Sequence, residues 1–411
     1  MRGKKNMRDT PQSPSMIKSL MVAVAIITVA AGAAVVLYAI DIDRAPVRVI
    51  RDPYPTFSAV AVDMDGNEIV LQDENNFGFA VYDRLTNTPA SATLSEPRRV
   101  VRGPNTFMEF NCGLYVDQKT GDIYSVNNDT IDTLTVFSRK AKGNVAPDRM
   151  LETPHRSFGI AVDEATQELY LSVQHPPAVV VYRKLAAGKD RPIRILEGDR
   201  TSLADPHGLA IDTKRQLMYT VNHGSVSFSK GGKSWSLATP DALPGEFERR
   251  DNMVLGSGKF LPASIVVHPL KASGDTPPLR IIQGPKTRLN WPSGMTVDED
   301  RNEIFVANDM DDSILVFDGN AKGDVAPIRV IKGPKSGVKN PTGVFIDKMH
   351  GELVVANFGN HRATVYPITA DGDMPPLRTI RAAPEGKLAL SIGNPGAVAY
   401  DTKRDQILVP N

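Results

Sequence analysis

A single cysteine, Cys112, occurs in 411 residues. No intrachain disulfide and no CxxC metal cluster can form, so the fold must be held by its core. Tryptophan is nearly as scarce, with Trp235 and Trp291 the two copies. Neither charge is in surplus, since 48 basic residues face 47 acidic ones. That balance excludes nucleic acid as a partner and excludes an acidic solvating arm. Beyond residue 40 no stretch keeps an apolar stripe at helical spacing over three turns. There is also no P-loop, dinucleotide fingerprint, HxH, HExxH or Ser-His-Asp pattern, which removes the enzyme classes that those motifs mark.

One long apolar run is present. Residues 1–18 carry Arg2, Lys4, Lys5, Arg8 and Lys18 against Asp9, and Ser19 to Ile40 then carry no charge. A run of this length can span a bilayer, which needs about 20 residues. The basic flank in front orients the C-terminal bulk outside the cytoplasm. Ala31-Gly32-Ala33 also reads as a signal-peptide cleavage site. Residues 1–40 are therefore a signal peptide or a signal anchor. The localisation expected is the cell envelope, periplasmic, secreted or single-pass anchored, with a membrane contact if the segment is uncleaved.

Residues 41–411 are built on a repeat. A short apolar strand, a, ends at Asp63, Asp117, Asp163, Asp212, Asp298, Asp347 and Asp401. Ten residues further, at the end of strand b, stand Asp73, Asn127, Val173, Asn222, Asn308, Asn357 and Asn411. Strand d opens on Pro-x-Arg at Pro46, Pro97, Pro147, Pro192, Pro278, Pro327 and Pro376, and strand c lies between b and d. The runs are rich in Val, Ile, Tyr and Phe and are bounded by Gly, Pro, Asn and Asp, which is the strand signature. Four antiparallel strands repeated at this period form a propeller blade, and stacking blades in a ring buries the faces that one sheet cannot. Seven a strands and seven d strands predict an all-β, seven-bladed β-propeller of four-stranded antiparallel blades. On that count both chain ends share the last blade, with "AVVLYAI" as its strand c if the leader is cleaved after Ala33.

The units "PTGVFIDKMHGELVVANFGNHRATVY" and "PHGLAIDTKRQLMYTVNHG" resemble the NHL and YVTN classes of β-propeller repeat. The likeness covers nearly everything after residue 40. It implies the fold, and with seven blades the lactonase-like group rather than the six common among NHL proteins. It does not imply one function, because such propellers serve as interaction platforms, lactonases and lyases.

Strand alternation puts the d–a and b–c connections on one face, the top. His155, His175, His207 and His223 all fall on top-face connections of blades 3 and 4, and His361 on blade 6. Imidazoles meeting at a channel mouth can hold a divalent metal, Zn²⁺ or Ca²⁺, or exchange protons. Between Asn222 and the end of strand c at His268 lies an insertion, residues 224–261, where other repeats need nine or ten residues. It hangs over the top face beside His223 and carries Trp235; Trp291 sits in the neighbouring d–a loop. Asn222, Asn308 and Asn357 read first as turn residues, and otherwise as a ring of amides at the mouth. The turn Asp residues and the Pro-x-Arg arginines read as structural, the arginines pairing across blades. The expected function is a binding platform for a protein, peptide or carbohydrate through Trp235, Trp291 and these amides. The alternative is a metal-dependent lactonase or lyase that adds Asp309 or Asp311 to the histidines.

Overall fold

The computed structural model describes residues 52–226, 259–390 and 399–408, and the compact unit that holds them starts at Asp52. The strands form as the repeat predicts, each blade contiguous in sequence and ordered a-b-c-d from centre to rim. Blade 1 is Phe57–Asp63, Glu68–Asp73, Gly78–Asp83 and Arg99–Arg102. Strand a is Asn111–Val116 in blade 2, Ser157–Asp163 in blade 3, Pro206–Asp212 in blade 4, Pro292–Asp298 in blade 5 and Pro341–Asp347 in blade 6.

The ring has six blades, not seven. Asp401 does end a seventh a–b pair, Ala399–Asp401 with Gln406–Leu408, but that hairpin pairs only with itself. The expected strands at Pro46 and "AVVLYAI" lie outside the described residues. The core consists of six apolar clusters, one per junction between adjacent blades, and one of them joins blade 6 to blade 1 through Val354, Ala356, Val365 and Ile380 against Phe57, Val60, Ile69 and Leu71. No terminal strand exchange is needed, because blade 1 docks on blade 6 as every other blade docks on its predecessor.

Three repeated devices carry that docking. The first is a glycine near the start of strand a. A Cβ on Gly208 would lie 2.5 Å from the Ser293 carbonyl, and one on Gly294 would lie 2.3 Å from that of Thr342. At the closing junction a Cβ on Gly343 would lie 2.8 Å from the Ala59 Cα. Only glycine lets the inner strands approach this closely.

The second device is a cation just after strand c that reaches back to the preceding blade. Arg139 bonds Asp63 at 2.9 Å, Lys184 bonds Asp117 at 2.6 Å and Lys271 bonds Glu168 at 2.6 Å. Arg84 of blade 1 fills the same slot on blade 6, 3.0 Å from Glu352. The Asp residues also make the expected turn bonds, as in Gly66 N–H to Asp63 at 2.7 Å.

The third is the c–d turn glycine, which does more than mark the turn. Gly143 donates to Val100 O at 2.7 Å and accepts from Arg102 at 3.2 Å on the rim of the preceding blade. Gly188, Gly274, Gly323 and Gly372 repeat this. At the closing junction blade 1 uses a longer loop, in which Thr88 donates to Thr379 at 2.8 Å and Ser95 to Arg381 at 2.9 Å. The Pro-x-Arg arginines mostly pair within their own blade rather than across it. Arg99, Arg194, Arg329 and Arg378 clasp Glu68, Glu168, Glu303 and Glu352 with two bonds each. Blades 2 and 4 have Asp122 and Leu217 at that position, and Arg149 and Arg280 reach carbonyls of the next blade instead.

Candidate functional site

Each blade ties its two top loops together in the same way. The residue before strand a accepts a hydrogen bond, at its carbonyl, from the first residue after strand b. The pairs are Thr56 with Glu74, Phe110 with Asn128, Arg156 with Gln174, Asp205 with His223, Trp291 with Asp309 and Asn340 with Phe358, at 3.0–3.3 Å. In blades 2–6 the accepting residue has a left-handed backbone: φ is 46° at Phe110, 64° at Arg156, 58° at Asp205, 56° at Trp291 and 41° at Asn340. Such φ values are uncommon away from glycine and cost free energy in bulky residues, and they cluster at sites. These two repeat positions supply most of the wall of a funnel of about 320 Å³ at the channel mouth, including Glu74, Phe110, Asn128, Arg156, Gln174, Asp205, His223 and Trp291.

A third position comes from a bulge at the top of strand a. Pairing with strand b skips between Pro206 and Leu209, and bulges re-aim side chains. Here the bulge puts His207 on the funnel wall. Cys112 and Phe158 hold the same place in blades 2 and 3. Ser172 donates its hydroxyl to the His207 carbonyl, pinning that segment from blade 3.

Asp205 is the hub. Its carboxylate lies 3.6 Å from His175 Nε2, 3.6 Å from His207 Nδ1 and 4.0 Å from His223 Nδ1. Asp205, His207 and His223 are all buried and offer donor atoms within 4.8 Å of one another. The imidazoles of His207 and His223 stack at 3.4 Å, and His223 leans on Trp291 at 4.3 Å. Neither nitrogen of His223 has a hydrogen-bond partner, and neither does Asp205 Oδ1. Buried orphan atoms of this kind are rare and call for an explanation. His207 is better held: Nδ1 meets the Asp205 carbonyl at 3.1 Å and Nε2 meets Gln174 at 2.6 Å, with Gln174 accepting from Asn128 at 3.1 Å.

Burial sets the charge state. It pushes the imidazoles down, His175 to about 4, His207 to about 3 and His223 to about 2. A weak opposing pull from the Pro292 backbone on His223 forms no bond of ordinary geometry. Burial pushes Asp205 up to about 7, against the pull of Arg156. Glu74 also rises to about 7, by burial first and then by repulsion from Asp73, Asp309 and Asp129. Removal from water disfavours the charged form of every one of these groups.

The structure thus gathers His175, His207 and His223. His155 stands apart, bonded to Asp132 at 2.9 Å. His361 is buried at the blade 6–blade 1 seam, 2.7 Å from Pro55 O. Asn222, Asn308 and Asn357 are wholly buried and spend their amides on the d–a loops and strand c, as when Asn222 accepts from Ala204 and donates to Ser264. Asp311 pairs with Lys332, and Asp309 accepts from Asn340 at 3.1 Å. Trp291 lines the mouth, whereas Trp235 lies outside the described residues. The ends of the 224–261 insertion pair as a two-stranded stem, Ser225–Val226 with Lys259–Phe260. Asp205 escaped the sequence reading. Its signal was its place just before strand a, a position at which the repeat changes chemistry from blade to blade.

No protein-family model matches the chain, and no curated protein does. Among solved structures 1147 chains match, a breadth that points to a common scaffold rather than to one activity. One is the hydrazine synthase of Kuenenia stuttgartiensis, 12% identical, with 80% of this chain and 100% of that chain covered and a TM-score of 0.50. At that identity the likeness speaks for the β-propeller fold alone.

Proposed function

We propose that the channel mouth binds a divalent transition-metal ion through Asp205, His207 and His223, and that the protein is a metal-dependent hydrolase or lyase acting on a small polar substrate. The observation that carries this reading is the buried, unpartnered state of His223 and of Asp205 Oδ1 in the funnel wall. Two imidazoles and a carboxylate suit Zn²⁺ better than Ca²⁺, which takes six or more oxygens. Three protein donors leave a position open, as catalytic zinc sites do. Bonds of about 2.0–2.1 Å require donors closer than the present spacing, so the stacked rings of His207 and His223 would turn for both to ligate. Both imidazoles are neutral at neutral pH; the nitrogens of His223 are unengaged, whereas His207 would exchange its Nδ1 contact with the Asp205 carbonyl for the ion.

A bound ion of this class polarises a carbonyl oxygen or acidifies a water. The chain's own groups complete the site. Gln174, held by Asn128, fixes the ring of His207, an orienting contact of the sort that tunes metal ligands. Glu74, its carboxyl pushed up to about 7 by burial and by the nearby Asp73, Asp309 and Asp129, stands on the opposite wall. Arg156 supplies positive charge near the rim. The repeat is read as NHL-like, and six blades fit that class. The uncharged run 19–40, outside the described residues, supports reading the propeller as exported, cleaved or anchored, which N-terminal sequencing of the mature protein would test. The platform reading keeps one support, the exposed top-face residues Phe77, Phe107, Trp291, Met310 and Phe260.

Titration of Co²⁺ into chelator-treated protein, followed by visible absorption, tests the metal. A saturable spectrum of a four- or five-coordinate ion that vanishes in His223→Ala supports the reading. No spectrum from a folded wild type overturns it.

A further inference from the structure

The funnel has a second pole. In a ring of six, blade 1 stands across from blade 4, so Glu74 faces the Asp205–His207–His223 group over the mouth. Burial and repulsion from Asp73, Asp309 and Asp129 act on the Glu74 carboxyl, and no cation is among the groups that shift it. The buried thiol of Cys112 also feels that field. These carboxyls do not gather as a metal site does, because the one set of three donors within 4.8 Å among the described residues is Asp205, His207 and His223. They form a diffuse negative field instead, offset in part where Arg156 lies 3.5 Å from Asp129. Phe110, in the blade next to that of Glu74, lines the funnel on this side, and Trp291 lines it on the far side against His223 at 4.3 Å; both have left-handed backbones. Carboxylate plus aromatic walls is the chemistry that recognises an organic ammonium. The unpartnered His223, 5% exposed, lines the same funnel and indicates that a ligand completes it.

We propose that Glu74 and its neighbouring carboxyls seat the ammonium group of a small organic amine between Phe110 and Trp291, while the other end of the amine reaches the Asp205–His207–His223 centre. A funnel of about 320 Å³ holds the volume of about ten waters, so the substrate is compact. The far-end contact rests on the metal reading; the ammonium seat does not.

Calorimetric titration of benzylamine and of benzyl alcohol into the full protein separates charge from shape. At pH 8, with Glu74 ionised, benzylamine binds about ten- to a hundredfold tighter than the alcohol, the worth of a charge-assisted hydrogen bond. At pH 5.5 the Glu74 carboxyl is protonated and the gap narrows. Glu74→Gln removes the gap at unchanged melting temperature. If that variant does not fold, Asp309→Asn narrows the gap in its place. A gap that survives chelation supports the ammonium seat whatever becomes of the metal reading. A gap that appears only with Zn²⁺ puts the amine nitrogen on the metal and overturns the seat. Equal affinities in the wild type, or a gap that persists in Glu74→Gln, overturn it as well.

Discussion

The bottom of the ring and its mouth follow opposite rules with the same residue types. At the bottom, carboxylates meet cations: Asp117 with Lys184, Glu168 with Arg194 and Lys271, Glu352 with Arg378 and Arg84. These partners hold Glu168 down to about 2. At the mouth, Asp205 and Glu74 rise to about 7 and the imidazole of His223 stays bare. The bottom devices recur from blade to blade, so they serve the ring. The mouth positions change from Phe to Arg to Asp to Trp on one backbone template, as the proposed binding role requires. On the proposed reading, stability and function are separated by face.

The largest effect that would break this comparison is at the closing seam. Arg84→Ala removes the cation that joins blade 1 to Glu352 and Asp347; Arg378 still clasps Glu352, so the cost should be that of a charge-assisted bond, about 1.5–3 kcal/mol, read as a lower denaturant midpoint. A midpoint unchanged by Arg84→Ala would mean that blade 6 and blade 1 do not close the ring.

A substitution at the mouth should have the opposite sign. His223→Leu removes a buried imidazole with no hydrogen bond and should stabilise the metal-free protein by about 1–3 kcal/mol, while metal binding is lost. Destabilisation of similar size would show that the mouth is built for stability after all.

The pH dependence sharpens the contrast. The folded values of His207 and His223 lie below the unfolded 6.5. The stability they contribute is therefore complete above pH 6.5 and drains as pH falls towards the folded values. Glu74, raised to about 7, has the reverse dependence, with its share present below about 4.5 and lost as pH climbs through 7. His223→Leu should flatten the acid limb of stability against pH by about 1.4 kcal/mol per unit. An unchanged slope in urea melts at several pH values would contradict the buried, neutral imidazole.

The smallest effect belongs to the rim. Gly372, at φ 67° with open space beside it, should cost about 1 kcal/mol as alanine, for backbone reasons alone.

The sequence made the blade legible because its signals are local. The Asp turn, the Pro-x-Arg strand and the spacing between them each lie within one unit. The number of blades was less legible, because Asp401 ends an a–b pair that looks like the others and only its pairing shows that it stands outside the ring. Arg84 sits one residue after strand c, as Lys184 does, but nothing local says that its partner is Glu352, 268 positions away. At the mouth the histidines stood out by type. Asp205 did not, since one more aspartate beside a proline reads as a turn. Its role comes from a left-handed backbone and from imidazoles that reach it through the fold.

Elemental analysis of protein purified without chelators tests the central claim most directly. About one zinc-class ion per chain, absent from a folded His207→Ala/His223→Ala variant, is the expected result. A metal-free wild type that takes up no ion when Zn²⁺ is supplied would contradict it.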